Sequence, residues 1–327
     1  MTRLHVLAAV GLLAGTTRAE DPKTLTLVQT IPLSGKPGRL DHMALDADGD
    51  RLFIANLSND SLDIVDLKAG RLARQIPGQR KAQGVAYAPA LGRVYLGNGV
   101  DGVCTAFDGK SLAALHSVKL PEADNVRFDA KTGLVYVAHA EHALTAFDAR
   151  TYEVKAAVKL PGPPEAFQID PDRRRLYVNC LKPATVAVVD LAKHEVVAKY
   201  PLTKAEANYP LALDPAGGRV FVGCRKEPMV VTLDAATGKE LAGVPIPGDI
   251  DDLFYDARRK RLYATCGEGF VAVLGEKAGG DFELIEKVPT RKLARTGLYD
   301  PAGGRLFVVL PADGKEEPVL RVYRPSP

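Results

Sequence analysis

Seven positions of the 327-residue sequence, spaced 41 to 44 residues apart, carry side chains that could act together: Asp41, Gln83, Asp124, Glu165, Tyr209, Asp251 and Arg295. All seven are polar or hydrogen-bonding. The following positions add His42, Asn125, Asp252 and Thr296, and Arg39, Lys81, Asn208 and Asp249 lie just outside. If the carboxylates Asp41, Asp124, Glu165, Asp251 and Asp252 converge, they offer oxygen ligands to a hard divalent cation such as calcium, which takes about six to eight. His42 and His139 would also suit a transition metal. A bound metal could polarise a carbonyl and activate water, with His42 beside Asp41, or His139, as general base. Alternatively, the same acids could join Arg39, Arg225, Arg295, Asn125, Asn208, Tyr209 and Glu268 in gripping a polar organic ligand, with no reaction following.

No local motif does this chemistry unaided. The sequence has no G-x-S-x-G elbow, no P-loop and no H-E-x-x-H. Any site must be assembled by the fold from distant positions, so the elements that carry them decide the matter. Each of the seven positions stands five residues before an anchor in a thirteen-residue pattern. The pattern is an apolar strand ending in Asp, a four-residue turn, then an aromatic-aliphatic strand. It runs as ALDADGDRLFIAN (44–56), AYAPALGRVYLGN (86–98), RFDAKTGLVYVAH (127–139), QIDPDRRRLYVNC (168–180), ALDPAGGRVFVGC (212–224), FYDARRKRLYATC (254–266) and LYDPAGGRLFVVL (298–310). The anchors are Asp46, Ala88, Asp129, Asp170, Asp214, Asp256 and Asp300.

Each repeat has room for four short strands. In the first these are A over 41–45, B over 51–57, C over 62–66 and D over 72–76, with turn-forming Asp, Gly and Pro between them. Four strands in roughly 40–45 residues is a propeller blade. The expected fold is therefore all-β: one seven-bladed β-propeller over residues 20–327. The seventh repeat lacks a strand D, and a spare strand at 25–31 precedes the first. Pairing it with 319–323 would close the ring and leave no exposed edge.

In that geometry strand A lines the channel, and the D–A and B–C loops share one face. The seven positions then ring the channel mouth, joined from the B–C loops by His139, Glu141, His142, Lys182, Arg225 and Glu268. These residues differ from blade to blade. A scaffold requirement repeats, whereas a binding site need not, and loops on a rigid frame are where binding residues tend to lie. By the same reasoning the recurring anchors, with Asp66, Asp108, Asp148, Asp190 and Asp234 after strand C, are turn residues.

The strand-B sequences Phe53-Ile54-Ala55-Asn56, Tyr95-Leu96-Gly97-Asn98 and Tyr136-Val137-Ala138-His139 resemble those of the YVTN-repeat propellers of bacteria and archaea. The resemblance spans residues 24–324. It implies a seven-bladed fold and export, and it leaves function open. The wider seven-bladed group includes lactonase-like hydrolases, cofactor-bearing domains and pure binding scaffolds, and a shared fold does not choose among them.

Residues 1–19 read as a secretory signal. A short positive start is followed by an apolar run from Leu4 to Ala14, and Thr17-Arg18-Ala19 fits a cleavage site. The run is too short for a bilayer core of roughly 30 Å. The expected location is periplasmic or extracellular, with no membrane span after cleavage. The leader contains Arg3 and Arg18 and no acid, so its loss leaves 41 of the 43 basic residues against 40 acidic ones. Near-neutrality argues against binding nucleic acid by bulk charge. Cys180, Cys224 and Cys266 hold one equivalent place in successive blades, roughly 10 Å apart and beyond the ~7 Å reach of a disulfide, so free buried thiols are expected. The expected function is a monomeric exported propeller that binds a small polar ligand or a divalent cation at the channel mouth. A metal-dependent lactonase-like hydrolase and a protein-interaction scaffold are the alternatives, with the protein partner unspecified. The absence of Trp counts against a dedicated protein-binding face.

Overall fold

The computed structural model describes residues 23–46, 48 and 51–327; the expected signal, 1–19, lies outside them. The described chain forms seven four-stranded antiparallel sheets arranged as the blades of a ring, with one short 3-10 turn at Pro89–Leu91. The innermost strands are Met43–Leu45, Ala82–Ala88, Ala123–Asp129, Pro164–Asp170, Glu206–Asp214, Ile250–Asp256 and Thr296–Asp300. The seventh blade is completed by Leu25–Pro32, which pairs antiparallel with Val319–Pro325 from Leu25↔Pro325 to Pro32↔Val319. First and last strands thus share one sheet, as the strand count required, and the ring has no open seam.

The second strand of each blade explains why the repeats fold this way. Its third residue is always aromatic: Phe53, Tyr95, Tyr136, Tyr177, Phe221, Tyr263 and Phe307. None is more than 1 % exposed. With their Val, Leu and Ile neighbours they form seven apolar clusters, each spanning the junction between two adjacent blades. One blade cannot bury its own faces. Burying each such ring is worth about 1.5–3 kcal/mol, and the gain is available only when the neighbouring blade is present.

The anchors are turn residues, as their periodicity implied. Each anchor carboxylate accepts a backbone N–H of its own turn, for example Asp129 from Lys131 (2.9 Å) and Asp300 from Gly303 (2.9 Å). Asp66, Asp108, Asp148, Asp190 and Asp234 do the same after the third strand. All four cysteines are free and buried. Among the described residues no helix is long and apolar enough to cross a membrane.

Candidate functional site

A repeated irregularity of the inner strands builds the channel mouth. In four blades the pairing of first and second strands slips between Ala82 and Val85, Ala123 and Val126, Pro164 and Phe167, and Asn208 and Leu211. In a fifth it slips between Ile250 and Asp252. The residues inside these bulges include Gln83, Asp124, Glu165, Tyr209 and Asp251, five of the seven positions the spacing singled out. A bulge takes a residue out of the ladder and re-aims its side chain. Close approach of neighbouring blades fixes the result. A Cβ on Gly84 would meet the Asp124 carbonyl oxygen at 2.0 Å, so blade two packs directly on the Asp124 backbone.

At the mouth, three arginines interleave with three aspartates across blades. Arg39 meets Asp41 at 2.9 Å and Asp251 at 3.8 Å. Arg295 meets Asp249 at 2.7 Å and Asp251 at 3.2 Å. Arg225 is bonded to Asp251, lies 3.5 Å from Asp249, donates to the Ile250 carbonyl (2.7 Å) and stacks over the Tyr209 ring 3.5 Å from its centre. Of the oxygens that the spacing offered to a divalent cation, those of Asp41 and Asp251 are therefore turned onto guanidinium groups, whereas Asp124, Glu165 and Asp252 face no described arginine at ion-pairing distance. Among the described residues no group of three or more His, Cys, Asp and Glu side chains is placed to hold a metal ion.

Beside this network lies a narrow cleft lined by Arg39, His42, Asp124, Asn125, Glu165 and Tyr209. Its acids behave unusually. Burial, reinforced by Asp124 and Asp251, pushes the Glu165 carboxyl up to about 8. Burial also lifts Asp124, with Asp41 adding to the effect. Asp41 rises to about 6 through burial, which outweighs the opposing pull of Arg39. At neutral pH Glu165 is thus a hydrogen-bond donor as well as an acceptor.

Beneath the cleft, His42 sits between two carboxyls, 3.9 Å from Asp41 and 3.7 Å from Asp252. Burial lowers its pKa, so it is a neutral imidazole at physiological pH. Asp252 is lifted to about 6 by burial and accepts the Gly297 N–H at 2.8 Å. Thr296 bonds the Leu40 carbonyl at 2.8 Å and ties the last blade to the first.

The structure thus brings Arg39, Asp41, His42, Asp124, Asn125, Glu165, Tyr209, Arg225, Asp251, Asp252 and Arg295 together at the mouth or directly beneath it. Others fall elsewhere. Asn208 is fully buried inside the wall, where its amide donates to Asn179 Oδ1 (3.1 Å) and the Thr185 carbonyl (3.0 Å); it braces two blades. Glu268 accepts the Gly248 N–H (2.6 Å) and clasps a rim loop. His139 bonds Thr145 (2.9 Å) in a side recess shared with His142, Asp124 and Glu165.

Sequence spacing passed over Arg127 and Gln168. They stand two residues before their anchors, at a place occupied elsewhere by Ala44, Ala86, Ala212, Phe254 and Leu298. Two polar residues in an otherwise apolar ring were the available signal.

No protein-family model and no curated protein matches the chain. Solved structures do. A chain of Kuenenia stuttgartiensis hydrazine synthase aligns with a TM-score of 0.77 at 18 % identity, covering 97 % of this chain and 99 % of that one. A chain of a mitotic checkpoint complex aligns with a TM-score of 0.77 at 14 % identity, covering 99 % and 98 %. At such identities the likeness is one of fold alone. The chain is a seven-bladed β-propeller, an architecture compatible with ligand binding and with protein scaffolding.

Proposed function

We propose that this is an exported propeller of the YVTN-repeat kind that binds a small, polar, zwitterion-like ligand at the mouth of its channel. One observation carries the reading: the cleft combines polar groups that have no protein partner with a cation still open to solvent. Among the described residues the Glu165 side chain makes no hydrogen bond or ion pair. Asn125 is 3 % exposed, yet its Oδ1 has no partner. Next to them the Arg39 side chain is 40 % exposed despite its contact with Asp41. A ligand with N–H donors for Asn125 and Glu165 and an anionic group for Arg39 would satisfy all three. Convergent polar groups in a concavity mark such sites. Export is supported by the leader-like residues 1–19 and the apolar run within them.

A cation site has less support, because Asp41 and Asp251 are already paired with arginine and, among the described residues, no three acids or histidines are placed together to hold a metal ion. The hydrolase alternative rests on the neutral His42 between Asp41 and Asp252. It would still need a metal or nucleophile that those carboxyls are poorly placed to supply.

The test is thermal unfolding of the purified protein against free amino acids, dicarboxylic acids and calcium chloride, with and without chelator. A zwitterion at a hundredfold excess over its Kd should raise Tm by about 5 °C, and Arg39→Gln should abolish the shift. If no organic probe acts while calcium raises Tm and chelator lowers it, the site is a cation site and the reading fails.

A further inference from the structure

Below the mouth the channel widens into a separate cavity. It runs from His42 and Asp252 along the inner strands towards Tyr87, near the turns at the opposite face. Its walls are mixed: Phe128, Phe254 and Leu298 contribute apolar surface, and His42, Asp252 and Tyr299 polar surface. Arg127 enters this wall from the third blade. Its guanidinium donates to the carbonyl of its own neighbour Val126 (2.9 Å), and its carbon lies 5.8 Å from the Phe167 ring centre. Among the described residues no carboxylate comes within ion-pairing distance of it. Burial depresses its pKa, with Asp252 and Asp124 acting only as more distant counter-charges. The side chain is half-buried in the channel wall; its guanidinium remains charged even so, and a charge drawn partly out of water without a close partner is costly unless a ligand or solvent meets it. Gln168 stands at the equivalent position of the next blade and lines the same cavity. Its amide nitrogen makes one long bond, 3.3 Å, to the Leu211 carbonyl.

We propose that this cavity is a second binding site, for a monocarboxylate with a short apolar body, its carboxylate held by Arg127 beside Gln168. The guanidinium fork suits a carboxylate bidentately. The apolar part of the wall takes the body of the ligand, and Asp252 across the channel opposes a second negative charge. The site differs from the mouth cleft in its anion-binding group, since none of the three mouth arginines lines it, although His42 borders both.

Benzoate and benzamide are the probes, because they share a body and differ in charge. Isothermal titration of the purified protein should give one benzoate per chain, bound at least tenfold more tightly than benzamide. Arg127→Met should bring benzoate down to the level of benzamide, while Arg295→Gln at the mouth should keep benzoate affinity within twofold. Equal affinity for the two probes, or no saturable benzoate binding, overturns the proposal. So does loss of benzoate binding in Arg295→Gln. Circular dichroism checks that Arg127→Met folds. If it does not, the benzoate–benzamide ratio in the unaltered protein and the Arg295→Gln result decide the question without it.

Discussion

Both ends of the channel are built from aspartate and arginine, but in opposite ways. At the end bearing the A–B turns, the anchor pairs are local and the pattern recurs. Asp46 holds Arg51, Asp214 holds Arg219 and Asp300 holds Arg305 five residues apart, at 2.7 to 2.8 Å, and Asp170 holds Arg173 and Asp256 holds Arg259 three apart, each within one blade. At the mouth, pairs such as Arg39–Asp251, Arg225–Asp251 and Arg295–Asp249 join different blades, and no blade repeats another. The same two residue types thus serve as turn fasteners at one end and as a single shared network at the other. Periodicity separates the two uses where composition cannot.

The comparison breaks most sharply at Asp251. This carboxylate, 9 % exposed, is the common partner of Arg39, Arg225 and Arg295. Asp251→Asn leaves three clustered guanidinium groups short of one negative charge. Removing one partner of a buried pair is strongly destabilising, and here the arginines are partly open to water, so a loss of about 2–3 kcal/mol is expected in urea unfolding. A change under 0.5 kcal/mol would mean that the mouth network is no more than a solvated surface feature.

At the other end the equivalent change should cost less. Asp214→Ala removes a turn bond to the Gly217 N–H (3.0 Å) and the pairing with Arg219. Arg219 nevertheless keeps Glu276 at 2.8 Å and its place over the Phe221, Tyr255 and Phe282 rings. The expected loss is about 1–2 kcal/mol, with ligand-induced thermal shifts at the mouth unchanged. If Asp214→Ala proves as costly as Asp251→Asn, the two ends do not differ in kind.

Much of this was legible in the sequence, for a physical reason. A blade cannot bury its own faces, so every blade carries an aromatic at one place in its second strand, and all but the second, which has Ala88, carry the same turn-forming Asp. Those needs wrote a 42-residue period that gives fold, blade number and ring closure. The mouth positions were legible as departures from that period. What spacing could not supply was where each side chain turns. Asn208 is adjacent to Tyr209, yet it points into the wall to brace Asn179, because the slip in pairing that follows it re-aims Tyr209 and not Asn208. Nor could spacing show that Arg225, expected in a B–C loop, would lie in an extended second strand (Arg219–Lys226) and reach Asp251 in the next blade, holding that carboxylate away from a cation set. Arg127 and Gln168 were visible as polar exceptions in an apolar ring, but only the cavity beside them gives that exception meaning.

The smallest and most diagnostic effect is one of pH. Turn carboxylates such as Asp148 and Asp234 are held below the usual range by hydrogen bonds from their own turns, whereas burial lifts Glu165 at the mouth to about 8. Folded protein therefore keeps a proton on Glu165 that the unfolded chain releases above about 4.5. Between those two values the unfolded state binds fewer protons than the native one. Stability must then fall as pH rises through this window and level off above about 8. Glu165→Gln removes its share of that decline; the lifted Asp41 and Asp252 keep theirs, at lower pH and alike in both proteins. Because the side chain borders a wet channel, the full shift does not convert to free energy, and the variant should gain about 1–2 kcal/mol over the parent at pH 9 while matching it at pH 4. The turn carboxylates act in the opposite direction: their contribution is lost as pH falls, so it leaves the alkaline comparison untouched. Urea unfolding of both proteins at the two pH values makes the measurement. A Glu165→Gln variant less stable than the parent at pH 9 would mean that the carboxylate is ionised and attractively paired in the native state, which would make the mouth acids fasteners like those at the far end.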